Sequence, residues 1–135
     1  MVIRKVLIDT SAYSMLRQGH DKVREILESA DEVLIPSIVI GELLYGYKNG
    51  SRYDWNKEIL QQFLDTGAIV KPVTIETADI YSDIFLALKK SGRPIPTNDV
   101  WIAAQSFEAG SVLLTFDKHF QYINGLRLSL LTSEN

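Results

Sequence analysis

The sequence predicts a three-layer α/β sandwich around a mostly parallel sheet of about five strands. Short runs of Val, Ile and Leu recur along the 135 residues. Helical stretches separate each of the first four runs from the next, and parallel strands need such crossovers. No repeat, low-complexity segment or linker interrupts this alternation, so residues 1–135 read as a single domain of common size.

Each element has a local reason. Residues 2–9 open the chain as a strand. Their continuous core, Val6, Leu7 and Ile8, suits a strand buried on both faces. Helical patterns follow over 11–17 and 22–29, broken by Gly19. A second short strand covers 33–35. Pro36 and Ser37 begin a helix running through Tyr47, with Ser37 expected as its cap. Gly50 and Ser51 lead into an amphipathic helix to about Asp65, and residues 68–71 form a third strand. A long helix over 75–91 ends at Gly92, and Pro94 and Pro96 prevent its return. Thr97 and Asn98 are expected to cap a helix that runs through Ala109 and stops at Gly110. A fourth strand at 111–115, a turn at 118–120 and a last strand at 127–131 complete the chain.

Composition narrows the function. Hydrophobic residues make up 46% and charged residues 23%, which excludes a disordered chain. The absence of cysteine excludes disulfides and thiolate-bound zinc. The opening apolar run is too short for a signal peptide and ends at Asp9. No stretch approaches the ~18 apolar residues of a membrane span. A soluble, cytoplasmic protein without membrane attachment is expected. A net charge of −3 counts against a nucleic-acid binder. That count ignores any cations held among the acids.

Four acids stand out. Asp9 directly follows the first buried strand, at the carboxyl end where open parallel sheets build their sites. It also suits a helix cap. Glu42 sits in a helix that is apolar nearly all round, where a carboxylate is costly unless it is paired or binds metal. Asp99 lies in a first helical turn, which the helix dipole alone would explain. Asp117 follows the fourth strand and also suits a turn. If the strands bearing Asp9 and Asp117 are neighbours, all four acids face one crevice. Four such carboxylates cannot all ionise without cations, and an oxygen-rich set suits magnesium or manganese.

The segments VLIDTSAY, IPSIVIGELLYG, IPTNDVWIAAQS and VLLTFDKHF carry these acids in order. In this they resemble the PIN-domain ribonucleases, and among them the VapC-type toxins of toxin–antitoxin pairs. The resemblance implies a five-stranded parallel sheet. It makes Asp9, Glu42, Asp99 and Asp117 the catalytic, metal-binding acids around one or two Mg2+ or Mn2+ ions. Thr10 and Ser11 match the small hydroxyl residues after the first acid, Asn98 the residue before the third, and Thr115 the Thr before the fourth. It further implies an RNA substrate, a VapB-type antitoxin and a homodimer. The segment 49–55 matches nothing in the pattern and is a place for target specificity.

The implied chemistry is metal-assisted attack of water on a phosphodiester. Asp9 and Asp99 are the expected core ligands and Asp117 an additional or supporting one. Glu42 binds a second ion or orients water. Thr115 and Asn98 hold carboxylates or water in place. This route does not use a ribose 2′-hydroxyl as nucleophile, so the preference for RNA comes from the resemblance. Arg93, Lys118, Lys48 and Arg52 are candidates to grip the substrate backbone, although each also suits a solvated surface. Core packing suits Trp101, and a plain surface position suits His20 and His119. Tyr13 and Tyr45 suit either a groove or the core.

Two rivals remain. Aspartyl-phosphate phosphatases also place Asp after a first strand, but they need a second Asp where this chain has Ser11. A catalytically inactive PIN-like module that only binds nucleic acid or a partner is the other.

Overall fold

The computed structural model describes residues 3–134. Five strands form one sheet: β1 (Lys5–Ile8), β2 (Glu32–Pro36), β3 (Ile69–Lys71), β4 (Val112–Thr115) and β5 (Leu128–Leu130). Their order is β3-β2-β1-β4-β5, and every pairing is parallel. The expected first strand is shorter than 2–9, and its Val2 lies outside the described residues.

Six helices form the crossovers: α1 (Thr10–Arg17), α2 (Asp21–Ser29), α3 (Ser37–Lys48), α4 (Tyr53–Asp65), α5 (Ile75–Ser91) and α6 (Thr97–Ala109). The chain runs outward from β1 to β3 through α1–α4. It then crosses back to β4 through α5 and α6. Because parallel crossovers are right-handed, the reversal puts these two sets on opposite faces of the sheet. Val6, Leu7, Ile8, Leu113 and Leu114 lie between the layers with no exposed surface. Burial on both faces is the reason these strands read as unbroken apolar runs.

Two expected caps are corrected. Pro36, not Ser37, occupies the cap position of α3, and it makes no side-chain cap hydrogen bond. Pro36 is still paired with Lys71 in the sheet, so the helix starts on the very next residue. Likewise Pro96, not Thr97 or Asn98, precedes α6. Thr74 instead caps α5 in a reciprocal box with Thr77. Both hydroxyls also donate to the Glu108 carboxylate of α6.

The sheet reverses its winding between β1 and β4. In an open parallel sheet such a switch leaves a crevice beyond the strand ends. Asp9 and Asp117 lie on its two sides.

Candidate metal centre at the sheet switch point

Asp9 leaves β1 at an extended φ of −93° and caps α1. It is buried, with 5% of its surface exposed. Its Oδ1 accepts from the Ser11 hydroxyl at 2.7 Å and from the Ala12 amide at 2.9 Å. Its Oδ2 accepts from the Thr115 hydroxyl. A carboxylate oxygen has two lone pairs, so Oδ1 is saturated and Oδ2 keeps one free. Burial raises the Asp9 pKa. The Thr115, Ala12 and Ser11 donors oppose that rise, and the Asp117 charge adds to it.

Thr115 ties the two sides of the crevice together. Besides donating to Asp9, it accepts the Asp117 amide at 3.0 Å and lies 3.3 Å from Ser11 Oγ. Ser11 in turn accepts the Phe116 amide at 3.0 Å. The ends of β1 and β4 are thus bound into one network.

Asp117 caps a 3₁₀ turn over Lys118–Tyr122 by accepting the His119 amide at 2.9 Å. His119 Nδ1 lies 3.1 Å from the same Oδ1. One ligand atom from each of Asp99, Asp117 and His119 falls within 4.8 Å of the others. His119 is on the surface, as the sequence suggests, but its ring turns onto Asp117 rather than standing alone. The Asp-x-His spacing was its only signal, because the turn that folds the ring back is not visible in the pattern.

Glu42 is half-buried on α3, and its Oε1 accepts from Thr10 Oγ1 at 2.8 Å. That hydroxyl is the partner the apolar helix lacks. Asp99, in the first turn of α6, is held at a pKa of about 7. Burial is the largest cause, followed by the negative charges of Asp117, Glu42 and Asp9, with His119 opposing. All three other acids act on Asp99, so the four carboxylates share one crevice. Such a set, with its proton retained on one member, fits a hard divalent cation in chemistry.

The remaining candidates are spread more widely. Asn98 is exposed and lines a hollow of about 570 Å³ with Thr10, Ile38, Gly41, Glu42 and Tyr45. Among the described residues it makes no side-chain hydrogen bond to the acids. Lys118 is exposed directly after Asp117. Lys48 closes α3 and lies 5.6 Å from the Tyr53 ring. Arg52 precedes α4 and lies 5.0 Å from the Trp55 ring. Arg93 packs on Tyr122 at 4.9 Å, in a separate groove of about 560 Å³ that none of the four acids lines. Trp101 stacks on Tyr81 at 3.9 Å, and Tyr13 is buried.

His20 is buried rather than on the surface. It caps α2 through Nδ1 and lies within hydrogen-bond distance of the Thr132 and Glu134 carbonyls through Nε2. Periodicity could not reveal this, because the partners of Nε2 lie at the far end of the chain.

No described helix is long and apolar enough to cross a membrane. Comparison with known proteins agrees with this fold. The chain is 28% identical over 127 residues to Ribonuclease VapC1 of Haemophilus influenzae (strain R2866), covering 90% of this chain and 93% of that one. It is 29% identical over 105 residues to Ribonuclease VapC2 of Rickettsia felis, covering 77% and 78%. The fold matches the structure of VapBC2 from Rickettsia felis bound to a promoter DNA fragment, with a TM-score of 0.84, 24% identity and coverage of 94% and 98%. It also matches VapBC-1 from nontypeable Haemophilus influenzae, with a TM-score of 0.82, 25% identity and coverage of 93% and 97%. The family model for the PIN domain matches residues 6–126. Taken with the parallel sheet and the acids at its switch point, that match over nearly the whole chain places this protein in the PIN domain family.

Proposed function

We propose that this chain, acting as one catalytic domain, is a metal-dependent endoribonuclease and the toxin of a type II toxin–antitoxin pair. The observation that carries the chemistry is the convergence of Asp9, Glu42, Asp99 and Asp117 in one crevice, where burial first and the charges of the other three second raise the Asp99 carboxyl to a pKa of about 7. Unoccupied by cations, the crevice repels a phosphodiester. Filled, it attracts one. The curated relatives named ribonucleases support RNA as the substrate.

Asp9, Asp99 and Asp117 would hold Mg2+ or Mn2+, with Glu42 available for a second ion or for orienting water. When bound, the cation supplies charge neutralisation at the phosphoryl group and a lowered pKa for the attacking water. The side chains do the rest. Thr115, Ser11 and the Ala12 amide fix the Asp9 carboxylate so that only Oδ2 has a lone pair free. His119 fixes Asp117 in the same way through Oδ1. Thr10 fixes Glu42. Asp9, Asp117 and Glu42 are therefore oriented before substrate arrives, which reduces reorganisation during reaction.

A restraining partner follows from this reading. The solved VapBC structures support a VapB-type antitoxin as that partner, and blocking the acid crevice is how it would restrain this chain. A homodimer belongs to the same proposal. The test is cleavage of an RNA panel by the purified chain with Mn2+ or Mg2+. Cutting should stop with EDTA and with Asp9→Asn. Cutting that persists without metal would refute the mechanism. Metal binding without any cutting would favour an inactive binding module.

A further inference from the structure

Glu42 and Tyr45 are three residues apart on α3, so they share a face of the helix. Both line the hollow that also contains Thr10 and Asn98. Tyr45 is nevertheless 71% exposed, an unusual position for a large ring beside an acid crevice. One turn further on, α3 ends at Lys48. There Lys48 and Lys57 lie over the Tyr53 ring at 5.6 and 5.5 Å. Beside them Arg52 lies 5.0 Å from the ring of Trp55, which is 59% exposed. Gly50, Ser51, Arg52, Tyr53, Asp54 and Trp55 enclose a second hollow of about 450 Å³.

Exposed rings interleaved with cations form the surface that unpaired nucleic acid needs. Bases stack on aromatic faces, and cations follow the phosphates. Lys48, Arg52 and Lys57 outnumber Asp54 and Glu58, the acids in this stretch, although the whole chain carries a net charge of −3. From Glu42 to Lys48 the helix rises about 9 Å. A few nucleotides of an unpaired strand span that distance. Arg93 on Tyr122 is a second such pair, and Tyr122 lies 6.5 Å from the His119 ring that holds Asp117, but that side offers one ring and one cation lining a separate groove, where the stretch 45–55 offers two exposed rings and two cations.

We propose that Tyr45 and Trp55, with Lys48 and Arg52, form a stacking track that holds the unpaired RNA flanking the scissile phosphate. This rests on the nuclease reading and deepens it. It assigns the stretch 45–55 to an unpaired rather than a duplex substrate.

The test uses the full chain in EDTA, so that nothing is cut, and an oligoadenylate of about ten nucleotides, within the usual size of single-strand sites. The chain has two tryptophans. A Trp101→Phe background therefore leaves Trp55 as the reporter. The oligonucleotide should quench its fluorescence. Fluorescence anisotropy of an end-labelled oligonucleotide reads the affinity of every variant, those lacking Trp55 included: Tyr45→Ala and Trp55→Ala should each weaken binding by roughly fivefold to a hundredfold, the usual effect of losing one stacked base. Trp55→Phe should retain most of the affinity. Lys48→Ala and Arg52→Ala should weaken binding and flatten its salt dependence. These side chains are exposed, and melting curves will establish that each variant folds.

Absence of quenching, or unchanged affinity in both alanine variants, overturns the track. So does loss of affinity for a protein partner alone, with oligonucleotide binding intact. With metal restored, Tyr45→Ala should raise KM more than it lowers kcat. RNA cutting with an unchanged KM removes the track and leaves the nuclease standing. Oligonucleotide binding that depends on both rings, in a chain that cuts no RNA, removes the nuclease and leaves the track.

Discussion

The hydroxyl of Thr115 donates to Oδ2 of Asp9, joining residues 106 positions apart in sequence. The same oxygen receives the Asp117 amide, so one side chain sets the distance between two acids of the crevice. Thr115→Val keeps the shape and removes the hydrogen bonds. We expect Mn2+ affinity to fall about 10- to 100-fold, the usual cost of losing a group that orients a metal ligand. Thr115→Ser should retain most of it. Calorimetric titration of the two variants measures this, and equal Mn2+ affinity for Thr115→Val and the unaltered protein would show that the hydroxyl does not orient Asp9.

Asp99 makes the metal-free fold sensitive to pH. Its folded pKa of about 7 lies above the ordinary value of 3.8. Between those values the folded state binds more protons than the unfolded state, so stability falls as pH rises. Metal-free protein should therefore melt at a lower temperature at pH 8 than at pH 6. Saturating Mn2+ should reverse the order, because metal competes with the proton and binds better as pH rises through 7. Melting curves at the two pH values, with and without Mn2+, decide it. A flat metal-free profile contradicts the raised Asp99 pKa, and with it the burial and the repulsion that raise it.

Asp99→Asn removes a charge on which Asp117, Glu42 and Asp9 all act. Without metal the variant should melt at a higher temperature than the native protein at pH 8. With Mn2+ the order should reverse, because a ligand is lost. RNA cleavage should disappear. A variant that is less stable without metal would mean that the carboxylate is held by something other than its neighbours.

His119 offers both its amide and its ring nitrogen to Asp117 Oδ1. His119→Ala keeps the amide bond and loses the ring. Mn2+ affinity should fall severalfold, with a smaller loss than for Asp117→Asn. Titration of both variants at pH 7 checks the order, and a larger loss for His119→Ala would make the ring itself a ligand.

Thr74→Ala serves as the control far from the acids. It breaks the capping box of α5 and a hydrogen bond to Glu108. Loss of such a cap costs about 1 kcal/mol. Urea unfolding should show that loss while Mn2+ affinity is unchanged. A parallel loss of metal binding would mean that α5 and α6 position Asp99 more tightly than the local contacts indicate.

The order of the elements follows from sequence because each rests on short-range chemistry. The run from Val6 to Ile8 has no polar face to leave in water, and Gly92 and Gly110 end their helices in the left-handed region. Asp9 and Asp117 are visible as acids after buried strands, and Glu42 as a charge in an apolar helix. The two misplaced caps show where local reading fails. Ser37 is a good cap by type, but the pairing of Pro36 with Lys71 carries the strand up to the helix and leaves no residue free to cap it.

Tertiary structure decided the rest. Only the sheet order makes β1 and β4 neighbours, and only that puts Asp9 beside Thr115 and Asp117. The Thr10–Glu42 bond spans 32 residues, and the contacts of His20 with Thr132 and Glu134 span 112 and 114. Sequence by itself determined which residue types were present and which local conformation each preferred. It could not determine which of them meet, because hydrogen bonds and charge repulsion act over a few ångströms of space regardless of chain distance.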